Sequence, residues 1–258
     1  MSDAPEQLLL RVLPPGEQAF DNFCGRANDE ARARLQRLAS GEAGAGEAGA
    51  GDPGAGVRLW LTGAAGAGKS HLLRATLRAA AQAGRPARYL SIGDLQRERA
   101  RERAARDPAA DGVAMAHAPW LLDDVEAIAG DAVAEAELMQ LWNETAGTIV
   151  FASRLHPGAC AWQLPDLRSR LLASEVFRLE PPDDDDLRAL LLARAAAVGL
   201  ALDDDVVPYL LRRLPRDPHS LSLVIEQLDL ASWRQRRRVT LPLVREVLVQ
   251  RSSEGIGR

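Results

Sequence analysis

Apolar and polar positions fall into two regimes along the chain. Between residues 57 and 180, five short apolar runs read as strands: VRLWLT (57–62), RYLSI (88–92), PWLLDD (119–124), TIVFAS (148–153) and EVFRLE (175–180). Helix-period segments separate them over 69–83 and 131–146, with a charged, helix-prone stretch at 94–107. Strands alternating with helices predict an α/β fold with a parallel five-stranded sheet covered on both faces. After Pro181-Pro182 the strand pattern stops. Helical periodicity then runs through 183–198, 204–214, 218–236 and 241–250, which predicts a small all-α second domain. A further helix is expected over 28–39, with Asn28 as its N-cap. Residues 40–56 are a Gly/Ala/Glu tract too poor in apolar side chains to order itself, and a flexible loop is expected there. The chain thus divides into a tail (1–16), an α/β domain (17–180) and a helical domain (181–258).

Composition narrows the function. The 258 residues carry a net charge of −4, which disfavours a free-standing, strongly basic nucleic-acid binder. No apolar run approaches the ~18–20 residues of a membrane span, and the N-terminus is too acidic for a secretory signal. No membrane partner is expected. Cys24 and Cys160 lie far apart without ligand-like spacing, which fits a reducing cytoplasm. The acidic runs Asp183–Asp186 and Asp203–Asp205 each open a predicted helix, where carboxylates are favoured by unpaired N–H groups, so a metal site is the weaker reading.

The sharpest signal is one residue. Of the 32 lysines and arginines, only Lys69 is lysine. It stands in Gly63-Ala64-Ala65-Gly66-Ala67-Gly68-Lys69-Ser70, a full match to G-x-x-x-x-G-K-[ST] between a predicted strand and a predicted helix. Backbone N–H groups of such a loop cradle phosphates, and the helix N-terminus adds partial positive charge. A compact ammonium fits beside phosphates where a planar guanidinium does not. Ser70 would ligate Mg²⁺. About fifty residues on, Leu121-Leu122-Asp123-Asp124 is an apolar strand ending in two acids. Asp123 suits Mg²⁺ and Asp124 the attacking water. A strand end capped by turn-forming aspartates is the alternative.

Several stretches resemble the ATPase domain of the DnaA-type AAA+ family. These are Phe20-Asp21-Asn22-Phe23 with Gly25 and Asn28, TGAAGAGKSHLL (62–73), LLDDVEAIAG (121–130), LPDLRSRLLASEVFRLEPPD (164–183), LRRLPRDPHSLSLVIEQL (211–228) and VTLPLVREVL (239–248). The resemblance spans residues 17–250. It implies a P-loop AAA+ core with a helical lid, and ATP or ADP with Mg²⁺ as ligands. It places Asn22, His71 and His219 at the nucleotide and Ser153 at a sensor. DnaA continues into a DNA-binding domain that Arg251–Arg258 would not supply. The chain is therefore similar to the Hda group of DnaA-related regulators, which inactivate the initiator. Gln7, Leu8, Leu10 and Val12 resemble the Q-L-x-L-x-[LF] peptide that docks on the polymerase III sliding clamp, although a Leu-rich tail could pack on its own domain instead.

That resemblance implies a mechanism in which Arg170 acts in trans as an arginine finger on ATP held by DnaA, with DNA contacted only through the clamp. An ion pair between Arg168 or Arg170 and Asp166 is the structural alternative. Because ATP in this class lies at subunit boundaries, a homo-oligomer is compatible. Two departures bear on turnover: Arg154 replaces an acidic sensor, and His219 replaces a lid arginine. Weak or absent intrinsic ATPase activity is expected. A DnaA-like helicase loader spending its own ATP is the competing reading. Arg234 to Arg238 reads as a solvated helix face, with contact to clamp-threaded DNA as its alternative. Trp60, Trp120, Trp142, Trp162 and Trp233 show no stacking pattern.

Overall fold

A computed structural model describes residues 18–42, 56–95, 97, 118–216 and 218–254. The tail with Gln7, Leu8, Leu10 and Val12, most of the 40–56 tract and most of the 94–107 stretch lie outside the described residues. The described chain forms two compact units.

The first unit comprises the described parts of residues 1–23, 30–62 and 69–178. Its sheet has five parallel strands: β1 (Arg58–Thr62), β2 (Arg88–Ser91), β3 (Trp120–Asp123), β4 (Ile149–Ser153) and β5 (Glu175–Arg178), in the order β2-β3-β4-β1-β5. The central strands β1, β3 and β4 are buried at every position, which is why they read as continuous apolar runs without alternation. Edge strand β5 is exposed or half-buried throughout. Trp60, Leu122 and Phe151 lie on one sheet face in a core with Leu138, Leu141, Leu167 and Leu171. Helix α1 (Asp29–Ser40) and helix α2 (Lys69–Gln82) also belong to this unit apart from Asp29, and α2 packs on β2, β3 and β4.

Helix α3 (Ala132–Glu144) is capped by Asp131, whose carboxylate accepts from the N–H groups of Val133 and Ala134. Helix α4 (Pro165–Leu172) escapes the periodicity reading. It is short, and only Leu167 and Leu171 are buried, a single i,i+4 pair. Pro165 occupies its first turn, where the missing N–H costs nothing.

The second unit comprises the described parts of residues 179–258 with 24–29 and 63–68. Its helices are α5 (Asp184–Ala197), α6 (Val206–Arg213), α7 (Pro218–Gln235) and α8 (Leu241–Glu254). They share a core of Leu187, Leu191, Leu210, Val224, Leu228 and Val244. Asp183 caps α5 through a capping box with Asp186, so the first acidic run serves a helix start. Asn28 does not cap α1. Its buried amide donates to the Glu180 carbonyl (2.9 Å) and accepts from the Glu180 N–H (2.8 Å). No helix of the described residues is long and apolar enough to cross a membrane.

Candidate nucleotide site

Residues 63–68 link the last residue of β1 to the first of α2. Gly66 (φ 81°) and Gly68 (φ 94°) occupy the left-handed region, which glycine enters without a Cβ clash. A loop with such alternating conformations turns successive N–H groups toward one point and makes an anion nest. Gly63 is required for a different reason: a Cβ there would lie 2.5 Å from the Leu179 carbonyl oxygen. The Ala67 N–H donates to the Ala64 carbonyl (3.2 Å), and the Ala67 side chain is buried.

Lys69 is the first residue of α2 and is buried. Burial pulls its pKa below the ordinary lysine value, against the opposing fields of Glu126, Asp123 and Asp124, while Arg154 pushes it further down. Ser70 follows it, half-buried. At the tip of β3, the buried Asp123 accepts a hydrogen bond from the Tyr89 hydroxyl (2.9 Å) on the adjacent strand. Burial first, then the Asp123 charge, pushes the Tyr89 phenol up to about 12, so it stays a donor and orients the carboxylate. Asp124 adopts a left-handed conformation (φ 58°), which Asp tolerates better than most side chains, and its N–H donates to the Asp123 carboxylate (3.1 Å). Desolvation, then Asp123 and Glu126, raises its pKa. The structure thus brings Lys69 into the field of both aspartates. Within this unit, an ammonium in a partly dry site, a hydroxyl and an acid pair fit magnesium and a polyphosphate in charge and donor type.

Ser153 and Arg154 close β4. Ser153 is buried and its hydroxyl accepts from the Leu155 N–H (3.0 Å). The Arg154 guanidinium and backbone N–H both donate to one oxygen of Glu126 (2.8 and 3.1 Å). Burial opposes ionisation of Glu126, but the bonds from Arg154 prevail and its pKa falls below the usual range. The Thr62 hydroxyl donates to the Arg154 carbonyl (3.4 Å), tying this strand end to the start of the phosphate loop.

Asn22 does not stand alone. Its side chain accepts from the Ala19 N–H (3.0 Å), which folds the 19–23 segment on itself. His71 hydrogen-bonds the Ala19 carbonyl through Nε2 (2.9 Å) and packs against the Phe23 ring (5.5 Å), so it anchors that segment to α2. Arg170, on α4, pairs with Asp166 (3.6 Å) and donates to Asn143 (2.9 Å). The ion-pair alternative therefore describes the isolated chain. His219 begins α7, and its side chain lies outside the described residues.

Glu126, Tyr89 and Glu135 went unnoticed in the sequence. Glu135 is fully buried and accepts from the N–H groups of Gly130 (2.8 Å), Gln163 (2.9 Å) and Leu164 (2.8 Å). It holds the segment that enters α4. The available signal was a charged residue three positions before Leu138, on the buried side of α3.

Comparison with known proteins agrees with this architecture. Residues 183–248 match the family model described as Hda, lid domain. Domain III of the replication initiation protein DnaA from Thermotoga maritima superposes with a TM-score of 0.69 at 20% identity, over 90% of this chain and 95% of that one. AMPPCP-bound DnaA from Aquifex aeolicus gives 0.64 at 21% identity, over 83% and 65%. The RuvB Holliday junction branch migration motor of Thermotoga maritima gives 0.58 at 13%, over 90% and 71%.

Proposed function

We infer that this DnaA-like AAA+ protein with an Hda-type lid is a regulator of replication initiation that works on ATP held by the initiator DnaA. The match of residues 183–248 to the Hda lid, joined to a DnaA-like core, carries the reading. The chain binds ATP or ADP itself, as its AMPPCP-bound structural relative binds an adenine nucleotide. Gly63, Gly66, Ala67 and Gly68 line the phosphates, with Lys69 as the counter-charge. Ser70 and Asp123 serve Mg²⁺, and Asp124 faces the water. Bound Mg²⁺ supplies charge neutralisation at the phosphates. Asn22 and His71 shape the adenine end, Ser153 reads the bound state, and the family resemblance assigns His219 to the nucleotide as well. The division into tail, 17–180 and 181–258 follows the same reading.

Own turnover is slow in this reading because Arg154, in place of an acidic sensor, is engaged by Glu126. The main act is in trans. Arg170 is 38% exposed and its partner Asp166 69% exposed, so the pair is worth about 0–1 kcal/mol. Exchanging it for a triphosphate on DnaA costs little. An arginine supplied in trans raises hydrolysis by about 10³–10⁵. Gln7, Leu8, Leu10 and Val12 dock the protein on the sliding clamp, which raises the effective concentration of the encounter. The site of action is the cytoplasm.

The test measures hydrolysis of DnaA-bound ATP with DNA-loaded clamp. Arg170→Ala abolishes stimulation, and removal of residues 1–13 abolishes both clamp pull-down and stimulation. Stimulation that survives Arg170→Ala refutes the finger assignment. Robust ATP turnover by the chain alone, without DnaA, favours the helicase-loader reading.

A further inference from the structure

The C-terminal end of α7 carries a surface that the regulatory reading does not use. From Trp233 to Arg238 six consecutive residues are exposed: Trp233, Arg234, Gln235, Arg236, Arg237 and Arg238. Trp233 is 78% exposed, whereas the other four tryptophans are buried or half-buried. At that exposure the indole presents a broad apolar face beside a run of guanidinium groups. Among the described residues, Arg234, Arg236 and Arg238 form no ion pair, and Arg237 donates only to Gln235 (3.3 Å). The acid facing the run, Glu246, is taken by the Gln235 amide (3.0 Å). Asp229, one turn back on α7, is half-buried.

The run is ordered. The Arg236 N–H donates to the Trp233 carbonyl (3.4 Å) and the Arg237 N–H to the Ser232 carbonyl (3.2 Å), the paired bonds of a Schellman cap. The Ser232 hydroxyl adds a bond to the Arg237 carbonyl (2.6 Å). In this cap the left-handed residue is ordinarily glycine, yet here it is Arg236, with φ 51°. A guanidinium is kept where the backbone prefers no side chain at all.

We propose that Trp233 with Arg234, Arg236, Arg237 and Arg238 forms a binding site for single-stranded nucleic acid. Four guanidinium groups without acidic partners complement a phosphate backbone. An exposed indole face offers a base a stacking platform. Duplex bases are stacked on one another, so the indole face selects an unpaired strand. A net charge of −4 for the whole chain is no obstacle, because the four cations are concentrated at one helix end.

The test titrates the full chain with an oligothymidylate of about 16 nucleotides. Binding quenches Trp233 fluorescence and weakens as salt rises. Trp233→Phe removes the quenching, and Trp233→Ala weakens binding about tenfold. Replacing Arg234 and Arg238 by Ala reduces the log–log salt slope by about 1.4. Arg236→Gly weakens binding while leaving the melting temperature unchanged or higher, an outcome that a merely structural role would not produce. Absence of binding at low salt, or binding that these variants leave unchanged, overturns the proposal. So does equal affinity for duplex without quenching, or capture by phosphatidylserine vesicles with no affinity for the oligonucleotide.

Discussion

Replacing Glu135 by Gln tests whether the α4 segment is held by a buried carboxylate. In the native protein one oxygen accepts from Gly130 and Gln163, and the other from Gln163 and Leu164. An amide leaves one oxygen to accept, and its NH₂ then faces a backbone N–H. Either Gly130 or Leu164 loses its acceptor in a site with no solvent. An orphaned buried donor costs about 1–3 kcal/mol. The remaining bonds also lose their ionic character, worth about 1 kcal/mol each. Against this, a neutral side chain no longer carries the desolvation penalty of a buried charge. The net loss is about 2–3 kcal/mol. For a protein of this size that lowers the melting temperature by about 4–12 °C. Differential scanning calorimetry of the two proteins checks it. The same variant stimulates DnaA-bound ATP hydrolysis less, since the Gln163–Leu164 turn leads directly into the helix bearing Arg170. A melting temperature within 1 °C of the parent, roughly 0.3 kcal/mol, would refute the reasoning, because it would mean that the carboxylate does not support the segment.

Lys69→Ala weakens ADP binding about 100-fold, or about 2.7 kcal/mol, with little change in melting temperature, as read by calorimetric titration. Asn28→Ala removes the two side-chain bonds to the Glu180 backbone and destabilises the second unit by about 2–3 kcal/mol, visible in urea unfolding. Burial, then Asp186 and Asp183, pushes the Cys24 thiol up to about 12, and burial, then Glu126, pushes Cys160 up to about 11. Native alkylation at pH 8 is therefore about 10³-fold and 10²-fold slower than for a free thiol. For both, the rate keeps rising beyond pH 10 instead of levelling near 9; a plateau near 9 would exclude these shifts.

The strands, most helices and the phosphate loop were legible because their causes are local. Continuous apolar runs announce central parallel strands, and glycines at fixed offsets announce a turn with left-handed residues. Asp123 and Asp124 were legible for the same reason, standing at the end of an apolar run. Their partners were not. Tyr89 reaches Asp123 across 34 residues, Arg154 reaches Glu126 across 28, and Asn28 reaches Glu180 across 152. Helix α4 was missed because eight residues with two buried leucines hardly show a period.

Chain chemistry alone thus determined which segments become strands and helices and where the glycine-rich turn between β1 and α2 falls, since backbone geometry and side-chain pattern act over a few residues. Tertiary structure alone decided that Arg154 is engaged by Glu126, that Arg170 donates to Asn143, and that Glu135 secures the helix carrying it. Those outcomes depend on which distant polar groups folding brings within about 3 Å of each other, and hydrogen bonding has no reach beyond that distance.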